Sequence, residues 1–314
     1  MKNVLILGGT GFIGRHVCEQ LNRLGIRATV ATRRAIQAQA VQTLPLVTVA
    51  EADVHDGATL RRLLPGHDAV VNLVGVLHGN ARRFELAHVT LPQTLARAMA
   101  ATGVRRLAHL SAIGADARGG SNYQRSKAAG EAVLRAAALD LTLLRPSVVF
   151  GPEDRFLNLF ARLQAHMPVM LLAGADVRLQ PVWVGDVARA VVTCLQSPAT
   201  IGQTYELAGE CAYTLRQLVN IAGRLSGHER PVIGVPLAFG YLQALLLQCL
   251  PGEPLMSTDN IGSLETDNVP SGQCPGLAEL GISPAPLEGV AARYLDATGA
   301  ANPLLGIRQR SGAH

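Results

Sequence analysis

Apolar positions in this chain fall in short runs separated by stretches with helical spacing. Val4–Leu7, Ala28–Ala31, Leu46–Val49, Ala69–Leu73, Arg106–Leu110 and Leu141–Leu144 are brief and mostly apolar, as strands buried on both faces of a parallel sheet are. Between them Ile13–Leu24, Thr59–Leu64, Leu95–Ala101 and Tyr123–Ala137 show the helical period. This alternation predicts an α/β fold built on a doubly wound parallel sheet.

The rhythm changes after Gly151-Pro152, where Pro and Gly become frequent. A strand-then-helix unit, Thr204–Leu207 and Leu215–Leu225, reads as standing apart from the sheet. The expected organisation is a nucleotide-binding domain over 1–150, rejoined by 181–196. A smaller C-terminal substrate or partner lobe spans most of 151–302, and 303–314 form a flexible tail. Asp186, just before Val187-Ala188-Arg189-Ala190, occupies the place of a helix N-cap, with a catalytic role as the alternative.

The first strand runs directly into Gly8-Gly9-Thr10-Gly11-Phe12-Ile13-Gly14, and an amphipathic helix follows. Glycines there permit a tight turn and close approach of a diphosphate, which the positive end of the helix then holds. Between a first strand and a helix this spacing marks a Rossmann-type dinucleotide site. The second strand ends Thr32-Arg33-Arg34, without the acidic residue that usually bonds the ribose 2′-hydroxyl of NAD(H). Two guanidinium groups suit a 2′-phosphate, so NADP(H) is the expected cofactor and NAD(H) the alternative. By position in such a fold, Asp53 and Val54 fall near the adenine, and Val74 and Gly75 end the fourth strand beside the cofactor.

Tyr123 and Lys127 lie four residues apart in a predicted helix, on one face. An ammonium beside a phenol favours phenolate and draws the tyrosine pKa toward working pH, as proton exchange with a carbinol requires. The only lysines among 28 basic residues are Lys2 and Lys127. A chain that uses arginine almost everywhere thus keeps at this position the compact three-donor head that can bridge ribose and tyrosine.

Composition narrows the rest. Aromatic residues make up 4% of the chain, too few for nucleic-acid stacking platforms, and no nucleic-acid partner is expected. The five cysteines are scattered without a C-x-x-C pair, so neither metal ligation nor a disulfide framework is expected. The run Val4–Leu7 ends in glycine too soon for an export segment, and a cytoplasmic protein is expected. Residues 237–250, between Pro236 and Pro251, are the most apolar stretch but fall short of the roughly 20 residues a spanning helix needs. Burial against the substrate lobe and contact with a membrane surface or partner both stay open, and either suits a hydrophobic substrate.

Taken together these residues resemble the extended and atypical short-chain dehydrogenases/reductases, the NAD-dependent epimerase/dehydratase-like group. The resemblance rests on Gly8–Gly14, Asp53, the Tyr123/Lys127 pair, Arg145-Pro146-Ser147-Val148-Val149-Phe150-Gly151-Pro152 and Gln180-Pro181-Val182-Trp183-Val184-Gly185-Asp186-Val187-Ala188. It implies that Tyr123 and Lys127 are the acid/base pair and that the segment begun by Pro146, with Val149, lines the nicotinamide end. Within the group, His109-Leu110-Ser111-Ala112-Ile113-Gly114-Ala115 and Pro254-Leu255-Met256-Ser257-Thr258-Asp259-Asn260 are similar to bacterial relatives of the nucleotide-binding accessory subunit of respiratory complex I. That likeness implies tight NADP(H) binding, a respiratory or membrane-associated complex as partner, a peripheral position on the inner face of the membrane, and little or no turnover.

One position departs from the family pattern. Ala112 follows Ser111 where the group carries the Ser or Thr that holds the substrate oxygen. Either Ser111 substitutes or the triad is reduced to a pair; losing one such donor costs on the order of a hundredfold in rate. Three functions follow. The first is NADP(H)-dependent redox chemistry on a carbonyl or carbinol. The second is a non-catalytic NADP(H)-binding subunit of a membrane assembly. The third is a sugar-nucleotide epimerase or dehydratase, against which Arg33 and Ala112 both count.

Overall fold

The computed structural model describes residues 1–241 and 258–295. The first strand, β1 (Asn3–Leu7), is followed by α1 (Phe12–Arg23), β2 (Arg27–Thr32), the single turn α2 (Gln39–Gln42), β3 (Val47–Glu51), α3 (Gly57–Leu63) and β4 (Ala69–Asn72). Next come α4 (Ala81–Glu85), a π-helical turn (Leu86–Thr90), α5 (Leu91–Thr102), β5 (Arg106–Leu110), α6 (Asn122–Ala136) and β6 (Asp140–Pro146). These strands and a later one form a seven-stranded sheet, every neighbouring pair parallel, in the order Thr204–Leu207, β6, β5, β4, β1, β2, β3. The order reverses between β1 and β4, the switch point where doubly wound folds bind ligands.

Val4, Leu5, Ile6 and Leu7 have no exposed surface, because helices cover both faces of β1. Val4 and Ile6 pack with Val17 and Leu21 of α1 and with Val187 and Val191 of a later helix; Leu5 and Leu7 pack with Leu60, Leu91 and Leu95. That continuous apolar run is why the strand was legible. This later helix is α7 (Val184–Gln196), and between β6 and it lie β7 (Val149–Phe150), a lobe helix (Leu157–His166), β8 (Met170–Ala173), β9 (Arg178–Leu179) and β10 (Val182–Trp183).

The helix α7 begins at Val184, with Trp183 as its N-cap residue, so Asp186 is not the cap that its sequence position suggested. It sits inside the first turn, fully buried, where its carboxylate pairs with Arg189 and accepts from the backbone N–H of Ala285 at 2.7 Å. The residue ties α7 to a distant loop, a partner that no local pattern reveals.

The strand β11 (Thr204–Leu207) also differs from expectation. It does not stand apart but closes the sheet, running parallel to β6. Glu206 obscured it by interrupting a four-residue run. In the fold that carboxylate is buried and accepts from the backbone N–H of Ser271 at 2.6 Å and its hydroxyl at 2.9 Å, with Arg145 at 4.0 Å. A polar side chain is tolerated in a buried strand because its partners travel with it.

Further elements are β12 (Tyr213–Thr214), α8 (Leu215–Leu225), β13 (Val232–Val235), α9 (Thr258–Ser263) and α10 (Leu287–Leu295). With the lobe helix they enclose a second core around Phe150, Leu157, Leu218 and Ala291. Of the apolar stretch 237–250, residues 237–241 are helical; 242–250 lie outside the described residues, as do 254–257 of the Pro254–Asn260 phrase and the tail 303–314. No helix among the described residues is long and apolar enough to cross a membrane.

Candidate active site

The glycine loop is shaped by the protein's own packing. Gly8 has φ +81°, and a Cβ there would lie 3.0 Å from the carbonyl carbon of Leu73. At Gly14 a Cβ would meet the Gly8 oxygen at 2.3 Å, and at Gly9 it would meet the Val30 side chain at 2.8 Å. These three glycines let β1, α1, β2 and the end of β4 approach one another. Gly11 is different: it is exposed, and its nearest neighbour would be 3.3 Å away.

Gly11 caps α1 without a side-chain hydrogen bond, and the first turn of the helix holds no acidic residue. The N–H groups there remain available to an anion. Thr10, Phe12 and Ile13 are half-buried around this turn, and the Phe12 ring reaches toward Gly151, where a Cβ would touch it at 3.2 Å. The cradle therefore fits a dinucleotide diphosphate.

At the end of β2, Arg33 and Arg34 are exposed. The sequence offered no carboxylate in reach, but the sheet supplies one: Glu51 lies opposite Thr32 in register and accepts from the Ala35 N–H at 3.2 Å. Parallel pairing brings it there from nineteen positions downstream of Thr32, roughly one crossover away. Asp53 is exposed and accepts from the His55 N–H at 3.0 Å, while Val54 is buried.

Val74 follows β4, its N–H bonded to Asn72 Oδ1 at 3.1 Å. A Cβ on the next residue, Gly75, would stand 3.3 Å from Lys127 Nζ and 3.6 Å from His88 Nε2. Pro146 ends β6 and accepts from the Ile113 N–H at 2.9 Å; Val149 pairs with Val182. Thus the expected residues gather around the carboxyl ends of the parallel strands, with Gly75 and Lys127 in direct apposition.

Ser121 caps α6 in a reciprocal capping box with Gln124, which fixes where the helix starts and so where Tyr123 and Lys127 project. Lys127 is buried and donates to the Leu110 carbonyl at 3.1 Å. Burial pushes it down to about 8, opposed by the Glu131 carboxylate. The half-buried Tyr123 does not show the lowered pKa that its spacing from Lys127 predicted. Burial pushes the phenol up to about 12. Lys127 Nζ is 5.9 Å from the ring centroid and spends a donor on Leu110, so it does not offset that cost.

Ser111 is buried, and its hydroxyl has no hydrogen-bond partner among the described residues. Its backbone N–H donates to Leu144, which fixes the residue at the end of β5, one position after the carbonyl that Lys127 holds.

Two histidines flank the lysine, and sequence reasoning assigned neither a role. His109 Nδ1 accepts from Asn72 Nδ2 at 3.1 Å, an orientation set by the bond of Asn72 Oδ1 to Val74. Burial first, then Lys127, pushes His109 down to about 3. His88 is 2% exposed; burial, then Lys127 and His109, push it down to about 2. Both rings surround the ammonium without adding charge. His88 sits in the π turn, edge-on to Tyr123 with ring centroids 5.6 Å apart and beside Phe84 at 5.7 Å. The available signal was the His88-Val89-Thr90-Leu91-Pro92 interruption of the helical pattern, since π turns recur at functional sites.

Comparison with known proteins agrees with this geometry. The NAD dependent epimerase/dehydratase family matches residues 4–208. Over 290 residues the chain is 31% identical to mouse NADH dehydrogenase [ubiquinone] 1 alpha subcomplex subunit 9, mitochondrial, covering 90% of this chain and 77% of that protein. It is 28% identical over 235 residues to the ceramide reductase of Caulobacter vibrioides, covering 74% and 73%. Among solved structures, the NADPH-dependent quinone oxidoreductase of Escherichia coli complexed with NADPH superposes with a TM-score of 0.76 at 22% identity, covering 93% of this chain and all of that one. With its sheet order, its glycine cradle and these relatives, the chain belongs to the NAD dependent epimerase/dehydratase family, an extended short-chain dehydrogenase/reductase-like group.

Proposed function

We propose that this protein binds NADP(H) in preference to NAD(H) and carries out redox chemistry on a carbonyl or carbinol of a hydrophobic small molecule. The observation that carries the reading is the burial of Lys127 against the Gly75 backbone, with Tyr123 on the same helix face and, just past the end of β5, the buried Ser111 hydroxyl that has no partner among the described residues. When bound, the nicotinamide supplies or accepts the hydride at the reacting carbon. Tyr123 Oη gives the proton to the carbonyl oxygen in reduction and takes it back in oxidation. Lys127, charged below about pH 8, holds the ribose side. Ser111 Oγ is the donor for the substrate oxygen, the work that Ala112 cannot do. Gly8, Thr10, Gly11, Phe12, Ile13 and Gly14 bind the diphosphate, Asp53 and Val54 face the adenine, and Val74, Gly75, Pro146 and Val149 line the nicotinamide end.

Arg33 and Arg34 support the phosphate-bearing cofactor, and Glu51 is the group that opposes it. The hydrophobic substrate draws support from the relatives named a ceramide reductase and a quinone oxidoreductase. In this reading 151–302 supply most of the substrate side, apart from α7 and β11. Parallel thermal-shift titrations with NADPH and NADH test the cofactor: a ligand at about a hundred times its Kd adds roughly 2.7 kcal/mol. An NADPH-selective shift is expected, and an NADH-selective one overturns the arginine assignment.

A second reading is favoured by the likeness to the mitochondrial NADH dehydrogenase subunit and by the high pKa of Tyr123. In it the protein binds NADP(H) without turnover, as a peripheral subunit of a respiratory or membrane-associated complex on the cytoplasmic side. Nucleotide retained through purification, with no oxidation or reduction of any quinone or long-chain carbonyl offered, is its expected signature.

A further inference from the structure

We infer that His88 is the positioning residue of this site: its ring joins the backbone after β4 to the helix that carries Tyr123 and Lys127, and so sets the gap in which Gly75 faces Lys127. The inference rests on the dinucleotide reading above and deepens it. The Val76 N–H can only donate, and it donates to His88 Nε2 at 3.1 Å. Nε2 therefore presents a lone pair, and the neutral ring carries its proton on Nδ1. Nδ1–H donates to Ser126 Oγ at 2.8 Å, and the Ser126 hydroxyl passes its own proton to the Tyr123 carbonyl at 2.9 Å. The chain of donors is complete and directional, from Val76 through His88 and Ser126 to Tyr123.

The ring is also fixed sideways. Phe84 and Tyr123 flank it, with centroids at 5.7 and 5.6 Å. A regular helix would bond the His88 carbonyl to the N–H of residue 92, which is proline and has none. Gly130 of α6 packs against that carbonyl, where a Cβ would stand 2.0 Å from the oxygen. The helix of the acid/base pair is thus seated on His88 at backbone and side chain alike.

Conservative replacements separate positioning from packing, because an Asn amide reproduces the Nδ1 position of histidine and a Gln amide the Nε2 position. His88→Gln keeps an acceptor for Val76; His88→Asn keeps a donor for Ser126 but does not reach Val76; His88→Phe fills the volume alone. Two readouts are used on the full chain: NADPH affinity from fluorescence titration, and hydrogen exchange of the Val76 amide without nucleotide. The expected results are affinity within a few fold of wild type with a protected Val76 amide for Gln, and affinity weakened roughly tenfold, the worth of one hydrogen bond, with loss of protection for Asn and Phe. Should the Asn and Phe variants fold poorly, Ser126→Ala cuts the other half of the chain and is expected to weaken NADPH binding by a few fold while lowering the melting temperature by only a few degrees. Wild-type affinity and protection in His88→Phe, or unchanged affinity in Ser126→Ala, overturn the inference. Wild-type protein that binds neither NADPH nor NADH overturns the functional reading instead, and the Val76 exchange pattern still decides whether His88 holds the backbone.

Discussion

A Cβ on Gly130 would stand 2.0 Å from the carbonyl oxygen of His88, so the helix of the acid/base pair packs backbone to backbone on the π turn. Alanine in an exposed helix interior is worth about 1 kcal/mol over glycine, but here the overlap decides the sign. Gly130→Ala is expected to destabilise by roughly 1–3 kcal/mol, read by urea unfolding, and to weaken NADPH binding by displacing Lys127. Stability at or above wild type would mean the turn yields freely.

The loop glycines divide into two kinds. Gly14→Ala places a methyl 2.3 Å from the Gly8 oxygen and is expected to cost several kcal/mol of stability, on the order of the largest single-site effects. Gly11→Ala meets nothing closer than 3.3 Å, so its fold should lose no more than about 1 kcal/mol while the methyl obstructs the diphosphate. Full NADPH affinity in Gly11→Ala would remove the diphosphate from this turn.

Lys127 gives a pH dependence with a definite sign. Burial holds it at about 8 in the folded protein against an ordinary 10.5. Between those values the unfolded chain binds the extra proton, so stability from this group is complete above 10.5 and is lost as pH falls through 8. Wild type should therefore gain on Lys127→Met between pH 8 and 10.5, by up to roughly 3 kcal/mol. NADPH affinity, which uses the ammonium, should move the other way and weaken above pH 8. A stability difference that does not change with pH would show that the ammonium is not buried at its cost.

Removing the hydroxyls separates chemistry from binding. Tyr123→Phe should bind NADPH as wild type does and lose at least about a hundredfold in turnover. Ser111→Ala discards a buried hydroxyl that has no partner among the described residues, so stability should hold or rise by about 1 kcal/mol while turnover falls. Turnover that survives Tyr123→Phe would sink the tyrosine assignment, and survival in Ser111→Ala would leave Tyr123 and Lys127 as a pair.

Much of this protein is written in local pattern. The runs at β1, β4 and β5 are mostly apolar because both faces of a parallel sheet are covered, and the glycines at 8 and 14 follow from backbone contacts that leave no room for a Cβ. Tyr123 and Lys127 share a helix face at any fold that keeps the helix. What tertiary structure alone decided are the relations that depend on distant partners. Glu206 fits an edge strand because Ser271 and Arg145 meet it; Asp186 sits within a helix because Ala285 and Arg189 meet it; Glu51 reaches the end of β2 because parallel pairing carries it there. The pKa of Tyr123 belongs to this class as well. Spacing along a helix brings an ammonium near a phenol, but the burial that raises the phenol and the carbonyl that occupies the lysine come from the packing of other elements. His88 is the fullest case: its neutrality, its proton position and its hold on Val76 and Ser126 arise from groups 12 and 38 residues away, which no periodicity encodes.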